Sequence, residues 1–110
     1  MKVSTKTVLE PEVGNNPSAK LEGLYHLIIL NDDDHTLEYV IEMLQATVNL
    51  TAAQALACTL EADRSGHSIV RTCTLEEAKQ KRDRIHAYGP DWRLPHSRGS
   101  VAALVEPAAT

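Results

Sequence analysis

A short apolar segment, Leu24–Leu30, limits most strongly what this chain can fold into. The segment consists mainly of leucine and isoleucine, and it stops at a polar cluster that begins with Asn31. An apolar run of this length with a polar end is typical of a buried strand, whereas a buried helix is usually longer. We therefore predict a buried strand at this position.

Two helices are predicted directly after this strand. The first has its N-cap at Thr36 or Asp34 and runs to about Thr47, because apolar residues recur there at helical spacing. The second opens at Thr51, which forms a capping-box pattern with a following glutamine, and it ends at Gly66. The apolar residues that define the first helix are Leu37, Val40, Ile41, Leu44 and Val48.

The second half of the chain predicts a strand, a helix and a final strand. In the segment His67–Cys73 polar and apolar residues alternate, and many of them are β-branched, as is typical of strands. Thr74 with Glu77 has the form of another capping box, and the third helix that it opens must stop before Gly89–Pro90. The segment Ser100–Val105 predicts the last strand.

The predicted order of elements is β-α-α-β-α-β. This order indicates an α+β fold in which a small three-stranded antiparallel sheet packs against three helices. Residues 1–22 contain proline, glycine and asparagine without an apolar period, so we expect a flexible N-terminal extension there. The core domain is expected at residues 23–106, and a short C-terminal tail at residues 107–110.

Composition and charge exclude several classes of protein. The chain has 110 residues, which is enough for one domain. Its formal net charge of −4 argues against a general nucleic-acid binder. Apolar runs such as Leu27–Leu30 are far too short to span a membrane, and two cysteines are too few for a disulfide scaffold. Because no leader peptide is apparent, we expect a soluble cytoplasmic protein.

Charged residues of opposite sign are separated along the chain. The stretch Leu21–Asp63 contains eight acidic residues and no Lys or Arg, whereas basic residues predominate from Lys79 to Arg98. The separation predicts either two contact surfaces or two ordinary solvated helical faces.

The densest polar cluster is Asn31–His35, which has three interpretations. Carboxylate and imidazole groups suit a divalent metal ion, so a small metal-dependent enzyme could use Asp32, Asp33, Asp34 and His35. Asx turns and a helix cap would use the same residues structurally. Carboxylates at a strand end can also bind an ammonium group through charge-assisted hydrogen bonds. Adjacent residues on a tight turn cannot all face one ion, so we expect no metal.

The sequence lacks other patterns of catalytic residues. It has no glycine-rich phosphate loop and no recognised spacing of a nucleophile with a histidine. Cys58 and Cys73 are expected to be packing residues. We therefore expect a protein without enzymatic activity and without a cofactor.

The segment Tyr25–Asp33, followed by Leu37–Leu44, closely resembles the signature of the ClpS family. Members of this family are bacterial adaptors that deliver N-end-rule substrates to the ClpA or ClpC unfoldase of the Clp protease. The resemblance covers roughly Leu24 to Tyr88 and includes Glu76 and Lys81 on the third helix. It implies that these two residues dock the chain on a ClpA- or ClpC-type AAA+ unfoldase.

The resemblance also implies a binding site for the free N-terminus of a protein. In the family, the Asn and the first Asp of the N-D-D motif hydrogen-bond the α-ammonium group, and these are Asn31 and Asp32 here. A pocket between the first two helices takes the first side chain, commonly Leu, Phe, Tyr or Trp. Leu37 and Val40 match apolar wall positions of that pocket.

Several residues depart from the family pattern, including Asp34, His35 and Thr36 after the N-D-D motif and three residues of the pocket. Asp63 stands where the family has a histidine that also binds the α-amine, and we expect Asp63 to be a third contributor. Thr59 and Ala62 replace larger apolar pocket residues, so the first side chain could stay apolar or become polar or basic. Two functions remain open: an N-degron adaptor, or a ClpS-like interaction domain that has lost N-degron binding and serves an unfoldase or another partner.

Overall fold

The computed structural model describes residues 23–108, so the predicted N-terminal extension and the last two residues lie outside the described part. The elements follow the predicted order. The strands are β1 (Leu24–Leu30), β2 (His67–Thr74) and β3 (Ala103–Pro107). The helices are α1 (Leu37–Thr47), α2 (Ala52–Ser65) and α3 (Leu75–His86).

The strand predicted from the apolar segment is the centre of the sheet. The strand order is β2-β1-β3, and both pairs are antiparallel. In the first pair Leu24 lies opposite Thr74 and Leu30 lies opposite His67, with an irregularity between Leu27 and Ile28. The predicted α+β fold with a three-stranded antiparallel sheet is confirmed.

The hydrophobic core lies between the sheet and the helices. Leu27 and Ile29 of β1 are fully buried there, and Tyr39 is the aromatic residue of the cluster. Because the chain has no Phe, aliphatic side chains fill most of this space. The other fully buried aliphatic members include Met43, Leu44, Val48 and Ile85.

Local hydrogen bonds explain where the helices begin. Thr36 caps α1, since its hydroxyl oxygen accepts from the Tyr39 amide at 3.1 Å. The Thr51 capping box is complete, and α2 ends at Gly66, whose φ of 91° favours glycine. These three features confirm the predictions for the first two helices.

The predicted capping box at the start of α3 is only half formed. The Thr74 hydroxyl accepts from the Glu77 amide at 3.2 Å, as expected. The Glu77 carboxylate, however, accepts from the Arg71 side chain at 2.9 Å. The Glu77 carboxylate therefore pairs with Arg71 on the neighbouring strand. In a complete capping box it would accept from the Thr74 backbone amide instead.

The last strand begins later than predicted, at Ala103 rather than Ser100. Ser100 is used elsewhere, because its hydroxyl oxygen accepts from the Gly89 amide at 2.7 Å. The ordered chain continues past the predicted core boundary at residue 106, and the Ala108 amide donates to the Leu24 carbonyl at 2.9 Å. Within residues 23–108, no helix is both long and apolar enough to cross a bilayer.

Candidate functional site

A recess opens where β1 ends, between α1 and α2. As a cavity it is small, about 10 Å³, which is the space of about one water molecule. Six of the residues that the resemblance assigns to N-terminus binding line it, namely Asn31, Asp32, Leu37, Val40, Thr59 and Ala62. Ile29, Leu30, His35 and Val101 complete the lining.

The apolar part of the recess has walls from both helices. Leu37 and Val40 belong to α1, whereas Thr59 and Ala62 belong to α2. The Thr59 hydroxyl donates to the Ala55 carbonyl of its own helix at 2.7 Å. Since this bond uses the only hydroxyl proton, Thr59 adds less polarity to the recess than its residue type suggests.

Asn31 and Asp32 form the polar end of the recess. The backbone amide of Asn31 donates to the Gly66 carbonyl at 2.9 Å, so the residue that ends α2 fixes the backbone of Asn31. The Asp32 carboxylate accepts from the Asp34 amide at 2.9 Å, which makes an Asx turn. The structural interpretation of the aspartate cluster is therefore correct for Asp32, although this residue also faces the recess.

His35 lies beside Asp32 and is held at both ring nitrogens. Its Nδ1 lies 2.8 Å and 2.9 Å from the two carboxylate oxygens of Asp32, and its Nε2 lies 2.6 Å from the Gly99 carbonyl oxygen. The ring also stacks on Tyr39 with a centroid distance of 4.6 Å. Only 5 % of the His35 side chain is exposed. The imidazole therefore joins the turn after β1 to the C-terminal segment.

A buried carboxylate holds this C-terminal segment against α1. Both the amide and the hydroxyl of Thr36 donate to Asp91, at 2.7 Å and 2.8 Å. Arg93 donates to the other oxygen of Asp91 at 3.0 Å and 3.2 Å, and it also donates to Glu42 at 2.9 Å. Burial raises the pKa of Asp91, but the hydrogen bonds from Thr36 and Arg93 outweigh it and lower that pKa to about 2. The carboxylate is charged and fully paired.

Asp63 does not line the recess, unlike its neighbour Ala62. Asp63 is exposed. It follows Thr59 by one helical turn, so it lies on the same side of α2 at roughly 40° around the axis. Its role in amine binding stays a prediction.

The predicted docking residues lie on different sides of α3. Glu76 is exposed, whereas only 9 % of the Lys81 surface is accessible. Five positions along a helix correspond to roughly 140° around its axis. The two residues therefore do not form one continuous exposed patch on this helix.

Sequence reasoning missed Val101 as a lining residue of the recess, and it named His35 only as a possible metal ligand. No local signal in the sequence points to Val101, because its place depends on the returning C-terminal segment. Within residues 23–108, no group of three His, Cys, Asp or Glu side chains is arranged to hold a metal ion. Asp33 and Asp34 are exposed on the turn.

The chain is similar to known proteins along most of its length. Residues 20–93 match the family model described as ATP-dependent Clp protease adaptor protein ClpS. The ClpS adapter protein of Acetivibrio thermocellus is 30 % identical over 105 residues, which cover 96 % of this chain and 99 % of that protein. The ClpS adapter of Nautilia profundicola is 34 % identical over 82 residues, with 74 % and 80 % coverage.

A solved structure has the same fold. It is Agrobacterium tumefaciens ClpS2 bound to L-phenylalaninamide, and it superposes with a TM-score of 0.66 at 25 % identity. The match covers 77 % of this chain and 96 % of the solved chain. ClpS proteins are adaptors and not enzymes. Taken with the sheet, the helices and the recess, these matches show that the chain is a divergent member of the ClpS family of Clp protease adaptors.

Proposed function

We propose that this adaptor binds the free N-terminus of a substrate protein in the recess at the end of β1. Asn31 and Asp32 would accept hydrogen bonds from the α-ammonium group, while the first side chain would enter the apolar part. One observation supports this proposal above all: the carboxylate and the apolar walls line the same recess. Burial of a side chain next to a fixed charged acceptor gives both affinity and selectivity.

We infer further that the first side chain is apolar, and that the walls of the recess move apart to admit it, because the cavity itself is only about 10 Å³. Leu37, Val40 and Val101 supply an apolar lining, and the Thr59 hydroxyl proton is engaged within α2. Asp63, the residue that would favour a basic side chain, lies outside the lining. The related ClpS2 structure holds L-phenylalaninamide, which joins a free amine to an aromatic side chain.

The partner that receives the substrate would be a ClpA- or ClpC-type AAA+ unfoldase. The exposed Glu76 on α3 is available for such docking, whereas Lys81 is largely buried and offers a partner little surface. The cytoplasmic location stays a prediction from the sequence.

The test is a titration with two peptides that begin with Phe and differ only in acetylation of the α-amine. We expect saturable binding of the free peptide and no detectable binding of the acetylated one, because acetylation removes the charge that the carboxylate recognises. A third peptide that begins with Arg tests the side-chain preference. Equal binding of the free and acetylated peptides would contradict the proposal.

A second candidate function is supported by the contacts of Asp32. Both oxygens of this carboxylate already accept from His35, and one also accepts from the Asp34 amide. In a ClpS-like domain that no longer binds N-degrons, we would expect the oxygens of this carboxylate to have hydrogen-bond partners within the chain, as they do here. Failure of every free N-terminal peptide to bind, while the chain still binds an unfoldase, would favour this alternative.

A further inference from the structure

The recess contains a histidine whose two ring nitrogens both face acceptors. Nδ1 of His35 lies within 2.9 Å of both oxygens of Asp32, and Nε2 lies 2.6 Å from the Gly99 carbonyl oxygen. A backbone carbonyl can only accept, and so can an ionised carboxylate. Both ring nitrogens must then donate, which requires the imidazolium form of His35.

The charged groups near His35 come from three parts of the fold. The turn supplies Asp32, and the exposed Asp34 also belongs to it. The stacked Tyr39 comes from α1 and packs in turn on Tyr88 with a centroid distance of 5.5 Å. The C-terminal segment supplies His96, whose Nε2 lies 3.6 Å from Asp34, and the buried Asp91, which is paired with Arg93.

An arriving α-ammonium group would meet this ion pair. If it binds at Asp32, two cations share one carboxylate, and each disfavours the charge of the other. A free carboxylate has lone pairs for more than one donor, so the ammonium group can bind without displacing the Asp34 amide. Of the two cations, the imidazolium gives up its proton more readily, because an imidazole is a weaker base than an aliphatic amine.

We propose that His35 is a positioning residue that holds Asp32 as an imidazolium in the unloaded adaptor and releases one proton to solvent when a peptide N-terminus binds. The inference rests on the proposed N-terminus binding at Asp32. The released proton leaves a neutral imidazole that can still donate from one nitrogen, to Asp32 or to Gly99. The adaptor then binds N-termini more weakly as the pH falls.

The loss of this proton should change the charge of the recess without detaching the C-terminal segment. The C-terminal segment stays attached to α1 through Asp91 and Thr36, whose contacts do not include His35. Loss of the bond from His35 to Gly99 therefore does not free the segment. The proton release changes the charge at the amine site and leaves the fold in place.

The experiment is a calorimetric titration of the full chain with a free N-terminal peptide that carries no histidine or carboxyl side chain. We expect the affinity to fall by about tenfold between about pH 7 and about pH 5.5, because binding at the lower pH must expel the proton of His35. Carboxylates ordinarily titrate below this range. Titrations in two buffers of different ionisation enthalpy count the released protons directly.

The variant His35→Gln removes the titrating group, and His96→Gln is its matched control in the same region. We expect the wild type and His96→Gln to lose affinity about equally as the pH falls, and His35→Gln to show a flat profile without proton release. Circular dichroism and thermal melts show whether the variants are folded. If His35→Gln does not fold, proton release by the wild type still decides the question.

Two results would overturn this inference in distinguishable ways. Binding by the wild type with no proton release, or the same pH profile in His35→Gln, would remove the role of His35 and leave the proposed function intact. Absence of binding by the wild type at every pH would remove the proposed function and this inference with it.

Discussion

At the residue scale, the carboxylate of Asp32 both shapes the turn after β1 and faces the recess. It accepts from the Asp34 amide and from His35, and it lines the recess with Asn31. Its side chain remains 31 % exposed, so a ligand can reach it. Substitution of this residue is therefore expected to change ligand binding more than folding.

Asp32→Ala should lose detectable binding of a free N-terminal peptide. Removal of one partner from a desolvated charged pair costs about 2–5 kcal/mol. Fluorescence anisotropy measures the affinity, and circular dichroism measures the fold. The neighbouring exposed carboxylate gives the control, because Asp33→Ala should bind nearly as the wild type does. Full affinity in Asp32→Ala would show that the α-amine is bound elsewhere.

Leu37 tests the apolar wall of the recess in the same way. It lines the recess and is 41 % exposed. Leu37→Ala should weaken binding of a peptide that begins with Phe by about 1–2 kcal/mol, because less apolar surface is buried on binding. The thermal midpoint should change little. Leu56 on α2 is 46 % exposed and outside the lining, so Leu56→Ala is a matched control that should keep full affinity.

At the scale of elements, the irregular segment between α3 and β3 completes the recess. Asp91 fixes this segment to the first turn of α1 through Thr36, and Gly99 and Val101 then reach the recess. The N-terminus of α1 is thereby held by its own cap and by a carboxylate from the other end of the chain. The segment is a structural part of the site.

Asp91→Asn should destabilise the fold by about 2–4 kcal/mol, since it removes a buried charge that is paired with Arg93 and hydrogen-bonded by Thr36. The pKa of Asp91 is lowered from 3.8 to about 2, so its stabilising effect is complete above about pH 4. That effect is lost as the pH falls through about 2. Thermal melts from neutral to acid pH measure both effects.

The wild type should lose stability over this acid range by more than Asp91→Asn does. Arg82 provides a comparison, because its ion pair with Asp83 is exposed. Asp83→Asn should therefore change the melting temperature little. Equal acid profiles for the wild type and Asp91→Asn would contradict a lowered pKa in the folded state.

The elements of this fold that depend on residues close together in the sequence could be predicted from the sequence. The limits of β1 and α1, the Thr51 capping box and the end of α2 at Gly66 follow from local spacing and local hydrogen bonds. The contacts that complete the site connect residues far apart in the chain. The bond from Thr36 to Asp91 spans 55 positions, and the contact of His35 with Gly99 spans 64.

The site residues divide in the same manner. Periodicity places Leu37 and Val40 on α1, and the resemblance to the ClpS family assigns them to the pocket wall. Val101 is expected in the last strand, but it lies before that strand and lines the recess. Glu77 shows where a local rule fails. The capping-box pattern predicts that its carboxylate accepts from the backbone, but the carboxylate accepts from Arg71 on β2. Only tertiary packing decides between two partners of similar chemistry.

At the scale of the whole molecule, the recess and α3 offer two separate places for partners. The recess lies at the end of β1 between α1 and α2, and Glu76 lies at the exposed start of α3. Acidic residues predominate in the half of the chain that builds most of the recess. A negative surface there would attract positively charged N-termini over a distance.

Glu76→Lys should weaken binding to a ClpA- or ClpC-type unfoldase and leave peptide binding unchanged. Surface charges of this kind act mainly on the association rate and its salt dependence. Surface plasmon resonance at two salt concentrations measures these quantities. Glu106→Lys makes the same change of charge at an exposed position on β3 and should bind the unfoldase as the wild type does. Loss of peptide binding in Glu76→Lys would contradict two independent surfaces.

The most direct test of N-terminus binding in the recess is a map of backbone amide shifts by nuclear magnetic resonance. The free and acetylated forms of one peptide that begins with Phe are added to the labelled full chain. We predict that the free peptide alone shifts the amides of Asn31–Val40, Thr59–Asp63 and Val101. Shifts confined to α3 or to β3, or the same shifts with the acetylated peptide, would contradict recognition of a free N-terminus by this recess.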